Sequence, residues 1–83
     1  MKLFIAQLDY AINSSMLQTA FEDHGNVVSC KVVDDHITGR SRGFAFVEMG
    51  SEEEGLNAIE QMHGKSFRGR EIVVRKAEEK RRS

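Results

Sequence analysis

Three phenylalanines and the cations around them are the residues of this chain whose types and spacing could do chemistry. In Arg42-Gly43-Phe44-Ala45-Phe46-Val47-Glu48-Met49 the two rings stand two residues apart. Alternation in β-structure places both on one face and only small or aliphatic groups on the other. Phe4 belongs to a second alternating run, Lys2 to Leu8, where it shares a face with Lys2 and Ala6, opposite Leu3 and Ile5. A strand apolar on both faces is normally covered on both. A chain of 83 residues is too short to build layers above and below one sheet, so one ring-bearing face stays wet. Exposed rings among charged neighbours form a stacking surface for planar bases, which points to single-stranded nucleic acid.

The other reactive side chains read as structure. Cys30 is the single cysteine. It alternates with Val32 toward the core and reads as a small buried hydrophobe, not a nucleophile. Without a second cysteine it forms no internal disulfide, which agrees with a reducing compartment. His24, His36 and His63 sit at helix ends or in a loop, with neither a neighbouring cysteine nor a His-x-x-x-His spacing. Asp34-Asp35-His36 follows a strand, where aspartates organise turns through side-chain to backbone bonds. Neither a Walker-type loop nor a glycine-rich dinucleotide fingerprint occurs. The expectation is a protein without catalysis, cofactor, bound metal or small-molecule substrate.

The elements that must position the rings follow from periodicity and caps. Leu3 and Ile5 face a core from the first strand. Asn13 or Ser14 caps a helix running to about His24, with Met16, Leu17, Ala20 and Phe21 as its apolar stripe and Gly25 as its C-terminal cap. Val27 to Val33 reads as a second strand with Cys30 and Val32 inward and Lys31 outward, and Asp34 to Ser41 as a long hairpin loop. Gly43 to Met49 is the third strand. Ser51 and Glu54 form a capping box for a second helix that buries Leu56, Ala58, Ile59 and Met62 and closes at His63-Gly64. Gly55 in its first turn costs about 1 kcal/mol relative to alanine, which signals close packing or a weak start. After a loop holding Phe67 and Gly69, Glu71 to Arg75 gives a fourth strand with Ile72 and Val74 inward.

Strand, helix, strand, strand, helix, strand is an α+β order. It predicts a ferredoxin-like βαββαβ domain with a four-stranded antiparallel sheet, spatial order 4-1-3-2, and both helices on one face. The length suits one domain, residues 1–77, followed by a charged tail, residues 78–83. No apolar run approaches the roughly 18 residues of a membrane span, and the chain is expected to be soluble, cytoplasmic and monomeric. Twelve Lys and Arg against thirteen Asp and Glu give a formal net charge of −1. Acidic residues gather in the helices and basic ones on the strands and their loops. Such a distribution fits either a bipolar domain or ordinary mixed surface charge.

Residues 42 to 47 match the octapeptide of the RNA recognition motif family, K/R-G-F/Y-G/A-F-V-x-F/Y, at its first six positions. Leu3-Phe4-Ile5-Ala6-Gln7-Leu8 resembles the family's companion hexapeptide, and the resemblance extends from residue 2 to about residue 77. With Met1 directly before the first strand and no linker after the last, the chain is most similar to small stand-alone single-motif proteins of bacteria. It departs from the pattern at Gln7, where asparagine is usual, at Ala6, where glycine is common, and at Met49, where an aromatic ends the octapeptide. Strand parity turns Met49 toward the core, while Gln7 and Ala6 lie beside the platform.

The resemblance implies that Phe4 and Phe46 each stack one base and that Phe44 lies against sugars between them. Arg42, Lys2, Lys31 and Arg75 would meet phosphates or base edges, with Arg40 and Arg70 helping from loops and Gln7 flanking the platform. The implied partner is single-stranded RNA, with single-stranded DNA as an open alternative. Two rival readings differ in class. One is a protein-interaction module that uses the aromatic face or the acidic helices. The other is an enzyme on the same fold resembling acylphosphatase, which the missing glycine-rich or arginine-bearing loop at Asp9 to Asn13 disfavours.

Overall fold

The computed structural model describes residues 1–34, 37 and 41–77, with Asp34, Ser41 and Arg42 described in their backbone only. Its elements are β1 (Lys2–Ala6), α1 (Ser14–Glu22), β2 (Val27–Asp34), β3 (Ser41–Met49), α2 (Glu52–Met62), β4 (Ser66–Phe67), β5 (Arg70–Glu71) and β6 (Val73–Lys76). β2, β3, β1 and β6 form an antiparallel sheet in that order. With β6 as the fourth principal strand, this is the predicted 4-1-3-2 arrangement.

Both helices begin where their caps predict. Asn13 Oδ1 accepts from the Met16 N–H at 2.8 Å, and Ser51 Oγ accepts from the Glu54 N–H at 3.1 Å. Each cap supplies an acceptor to an N–H that the helix itself cannot satisfy. Glu54 does more than cap. Its Oε2 accepts from the Asn26 N–H at 3.2 Å, which ties the start of α2 to the start of β2. The first helix is pinned similarly, because Ser14 Oγ accepts from the Val32 N–H at 3.1 Å.

The core lies between the helices and one sheet face. Leu3, Ile5, Leu8, Leu17, Phe21, Ala45, Val47, Ala58 and Ile72 are fully buried, with Ile12, Val32, Met49, Met62 and Val74 nearly so. Leu17 and Phe21 carry the stripe of α1, and Met16 and Ala20 are half-buried beside it. The stripe of α2 is rotated from the expected one. Gly55, Ala58 and Met62 are buried and Ile59 is half-buried, but Leu56 is 53% exposed. Met1 packs on this helix. Its side chain lies so close over Gly55 that a Cβ there would meet Met1 Cβ at 2.8 Å and Cγ at 2.9 Å. The glycine thus marks close packing, and Leu56, one residue on, faces solvent.

Three boundaries also differ from expectation. The first helix ends at cap Asp23, so Gly25 stands two residues beyond it. β2 and β3 reach further into the expected loop, and Asp34 pairs with Ser41. The remainder of that loop, apart from Ile37, lies outside the described residues. The fourth principal strand begins at Val73, not Glu71, because Arg70 and Glu71 pair instead with Phe67 and Ser66. Arg68 and Gly69 between them have φ of 55° and 92°, the left-handed pair of a two-residue hairpin turn.

Candidate nucleic-acid interface

Pairing register brings residues distant in sequence into one row across the helix-free face. Lys31 pairs with Phe46, Phe46 with Phe4, and Phe4 with Arg75. Two aromatic rings are therefore flanked by a cation on each side. Phe44 pairs with Ala6 in the next row on that face, and Ala6 with Val73. The ring centroids of Phe4 and Phe44 are 5.6 Å apart at 45°, and those of Phe4 and Phe46 are 5.5 Å apart at 51°. These are tilted contacts of the kind aromatic quadrupoles favour. Phe46 is 38% exposed, and Phe4 and Phe44, which shelter one another, are half-buried. The alternate residues Leu3, Ile5, Ala45, Val47 and Met49 point into the core.

Around the rings the surface is basic and shallow. Phe4, Phe46, Arg75, Lys76 and Ala77 line an open depression at the β6 side. The Ala77 N–H donates to the Lys2 carbonyl at 2.9 Å, so the chain stays on the sheet to the last described residue. Lys2 pairs with Glu48, and Glu48 with Ser29, in the row beyond Phe46. Sequence reasoning named Lys2 but passed over Glu48 and Val73. Continuing the alternation 44, 46, 48 would have found the first; the second needed the register of β6. Glu48 adds a hydrogen-bond acceptor beside the rings, suited to a base amino or imino group rather than to phosphate.

The register thus unites Phe4, Phe44, Phe46, Lys2, Lys31 and Arg75. Arg70 is not among them. It is exposed in the β4–β5 hairpin, outside the four-stranded sheet. Arg42 contributes its backbone to β3 two residues before Phe44, its side chain lies outside the described residues, and Arg40 lies outside them altogether. Gln7 directly follows β1 and is exposed, with φ of 63°. Asparagine tolerates that left-handed conformation better than glutamine, which gives the family's preference at this position a backbone cause.

The reactive side chains sit elsewhere. Cys30 is half-buried on the core side of β2, and burial pushes its thiol up to about 11. Its Sγ donates to the Ser14 carbonyl at 3.5 Å. Such a thiol is protonated at neutral pH and a poor nucleophile. His63 Nδ1 accepts from the Val74 N–H at 3.0 Å and so supports β6. His36 lies outside the described residues. Among the described residues no three His, Cys, Asp or Glu side chains gather as metal ligands.

A model of the RNA recognition motif matches residues 3–73. The chain belongs to the RNA recognition motif family. Among relatives, it is 46% identical over 77 residues to glycine-rich RNA-binding protein 2 of Sorghum bicolor, covering 93% of this chain and 46% of that protein. It is 43% identical over 81 residues to the chloroplastic 28 kDa ribonucleoprotein of Spinacia oleracea, covering 98% and 35%. The chain spans less than half the length of either. Among solved structures, RNA binding protein PG1 superimposes with a TM-score of 0.91 at 36% identity, covering 99% of both chains. These plant relatives do not bear out the expected likeness to bacterial proteins, and a chloroplast protein among them gives no support to a cytoplasmic location. Within this RNA recognition motif, Met49 is 1% exposed and fills core space where an aromatic is usual. No helix among the described residues is long and apolar enough to cross a membrane.

Proposed function

We propose that this RNA recognition motif, a monomeric domain of residues 1–77 with a charged tail, binds two to four nucleotides of single-stranded RNA across its sheet and performs no catalysis. The observation that carries the reading is the Lys31–Phe46–Phe4–Arg75 row on a face that neither helix covers. Phe4 and Phe46 each stack one base, and Phe44 lies against the sugars between them. Lys2, Lys31, Arg75 and Arg42 meet phosphates or base edges, and Gln7, Arg40 and Arg70 act from the periphery. The names of the sorghum protein and of PG1 as RNA-binding proteins support the assignment.

Magnitudes bound the affinity. Two stacked bases supply at most about 6 kcal/mol, whereas a Kd of 1 μM needs about 8 kcal/mol. With few phosphate contacts, binding falls in the micromolar range or weaker. An NMR titration of the whole chain with randomised short RNA and DNA oligomers tests this. Shifts should gather around Phe4, Phe44 and Phe46, and comparing the two oligomers measures selectivity for the 2′-hydroxyl. Shifts confined to the helices would contradict the proposal.

A further inference from the structure

Among the described residues the open face carries one anion, Glu48, between its cations. Glu48 follows Phe46 by two residues on β3, about 6.5 Å along the strand. Parity puts the two on one face, since the alternate residues Val47 and Met49 are 0% and 1% exposed. Lys2 is its partner across the β1–β3 pair and Ser29 across the β2–β3 pair. Glu48 is half-buried against this surface, yet among the described residues no N–H or O–H donates to its carboxylate and Lys2 forms no ion pair with it. Folding leaves this carboxylate unused. On a surface that holds a polyanion it repels phosphate, so its place beside Phe46 is favourable for binding only when a base donates hydrogen bonds to it.

The four RNA bases differ in what they can offer. A carboxylate presents two parallel acceptor oxygens and is best met by two adjacent donors. Guanine alone sets two N–H groups side by side, at N1 and N2, with the O6 acceptor next to them. Adenine and cytosine show one amino N–H on that edge, beside a ring nitrogen whose lone pair opposes the carboxylate. Uracil shows one imino N–H between two carbonyl oxygens. Lys2 completes the match, because an ammonium beside the carboxylate donates to O6. A guanine stacked on Phe46 with its Watson–Crick edge toward Glu48 satisfies both side chains at once.

We infer that Glu48, seconded by Lys2, determines the specificity of the sheet and selects guanine for the base stacked on Phe46. The inference rests on the platform reading and adds a base preference to it. The whole chain is titrated, by anisotropy, with labelled hexamers of uridine that carry one central guanosine, adenosine, cytidine or inosine, and with the all-uridine hexamer. The guanosine hexamer is expected to bind about 5- to 150-fold more tightly than those with adenosine, cytidine or uridine alone, the discrimination of one bidentate contact. Inosine keeps N1–H and O6 but lacks the amino group, and should lose most of that advantage; this comparison needs no variant. Glu48→Gln offers guanine one acceptor and an opposing donor, and should level the panel, with its fold checked by thermal melting. Equal binding of all hexamers by the parent, inosine matching guanosine, or a preference that survives in Glu48→Gln would each overturn the assignment and leave the platform standing. Failure of every hexamer to bind the parent would overturn both.

Discussion

The two faces of β1 and β3 are cut from the same stretches of chain and are both apolar at their centre, yet they meet different fates. On one face Leu3, Ile5, Ala45, Val47 and Met49 lie under the helices with at most 1% of their surface exposed. On the other, Phe4, Phe44 and Phe46 touch one another and remain open to solvent. Two helices can cover only one face of a four-stranded sheet, so large apolar groups on the other are not accounted for by folding. Their cost in exposure would be offset by a partner that covers them. The contrast separates stability, carried by the helix side, from the recognition proposed for the open side.

The contrast breaks most visibly by truncating one ring on each side. Phe21→Ala empties fully buried space and should cost about 3 to 5 kcal/mol in denaturant unfolding. Phe4→Ala and Phe46→Ala leave no internal cavity, and should cost well below that. Equal losses on both sides would mean that the open face belongs to the core.

Salt sharpens the comparison from the open side. Each phosphate neutralised adds about 0.7 to the log-log slope for single strands, so three or four contacts from Lys2, Lys31, Arg75 and Arg42 predict a slope of about −2 to −3. Affinity should then fall roughly 15- to 60-fold between about 50 and 200 mM salt. A much steeper dependence would assign the contact to Lys80, Arg81 and Arg82 in the tail, outside the described residues.

Smaller effects probe the helix side. His63→Ala removes the acceptor for the Val74 N–H and should cost about 0.5 to 1.5 kcal/mol, read by thermal melting, with RNA affinity unchanged. Cys30 gives a pH signature. Its folded pKa, about 11, is raised from 9.0 by burial, so the folded state holds the thiol proton more tightly than the unfolded chain. The resulting stability is fully present below pH 9 and is lost as pH rises through about 11. Melts of the parent across that window should fall more steeply than those of Cys30→Ala; parallel curves would place the thiol in solvent.

Much of this division was legible before the fold was known. Alternation in residues 42 to 49 assigned each ring to a face, and Asn13 and Ser51 announced both helix starts, because these signals are local to a few residues. The exposure of Leu56 was not, since which face of α2 is buried is decided by tertiary packing, in which Met1 lies over Gly55. The position of Arg70 is not legible either, because the hairpin turn at Arg68-Gly69 that diverts Arg70 and Glu71 from the sheet depends on their pairing with Phe67 and Ser66. Glu48 is legible from parity alone, since it continues the alternation of Phe44 and Phe46, and its pairing with Lys2 places it beside the rings.

The most direct test of the division is RNA affinity of Phe46→Ala, measured by fluorescence anisotropy on protein whose fold is checked by its own melt. Loss of one stacked base predicts binding weakened by about 5- to 150-fold, with the melt close to the parent's. A variant that melts like the parent and binds RNA as tightly would contradict the account, and the open aromatic face would then belong to a protein partner instead.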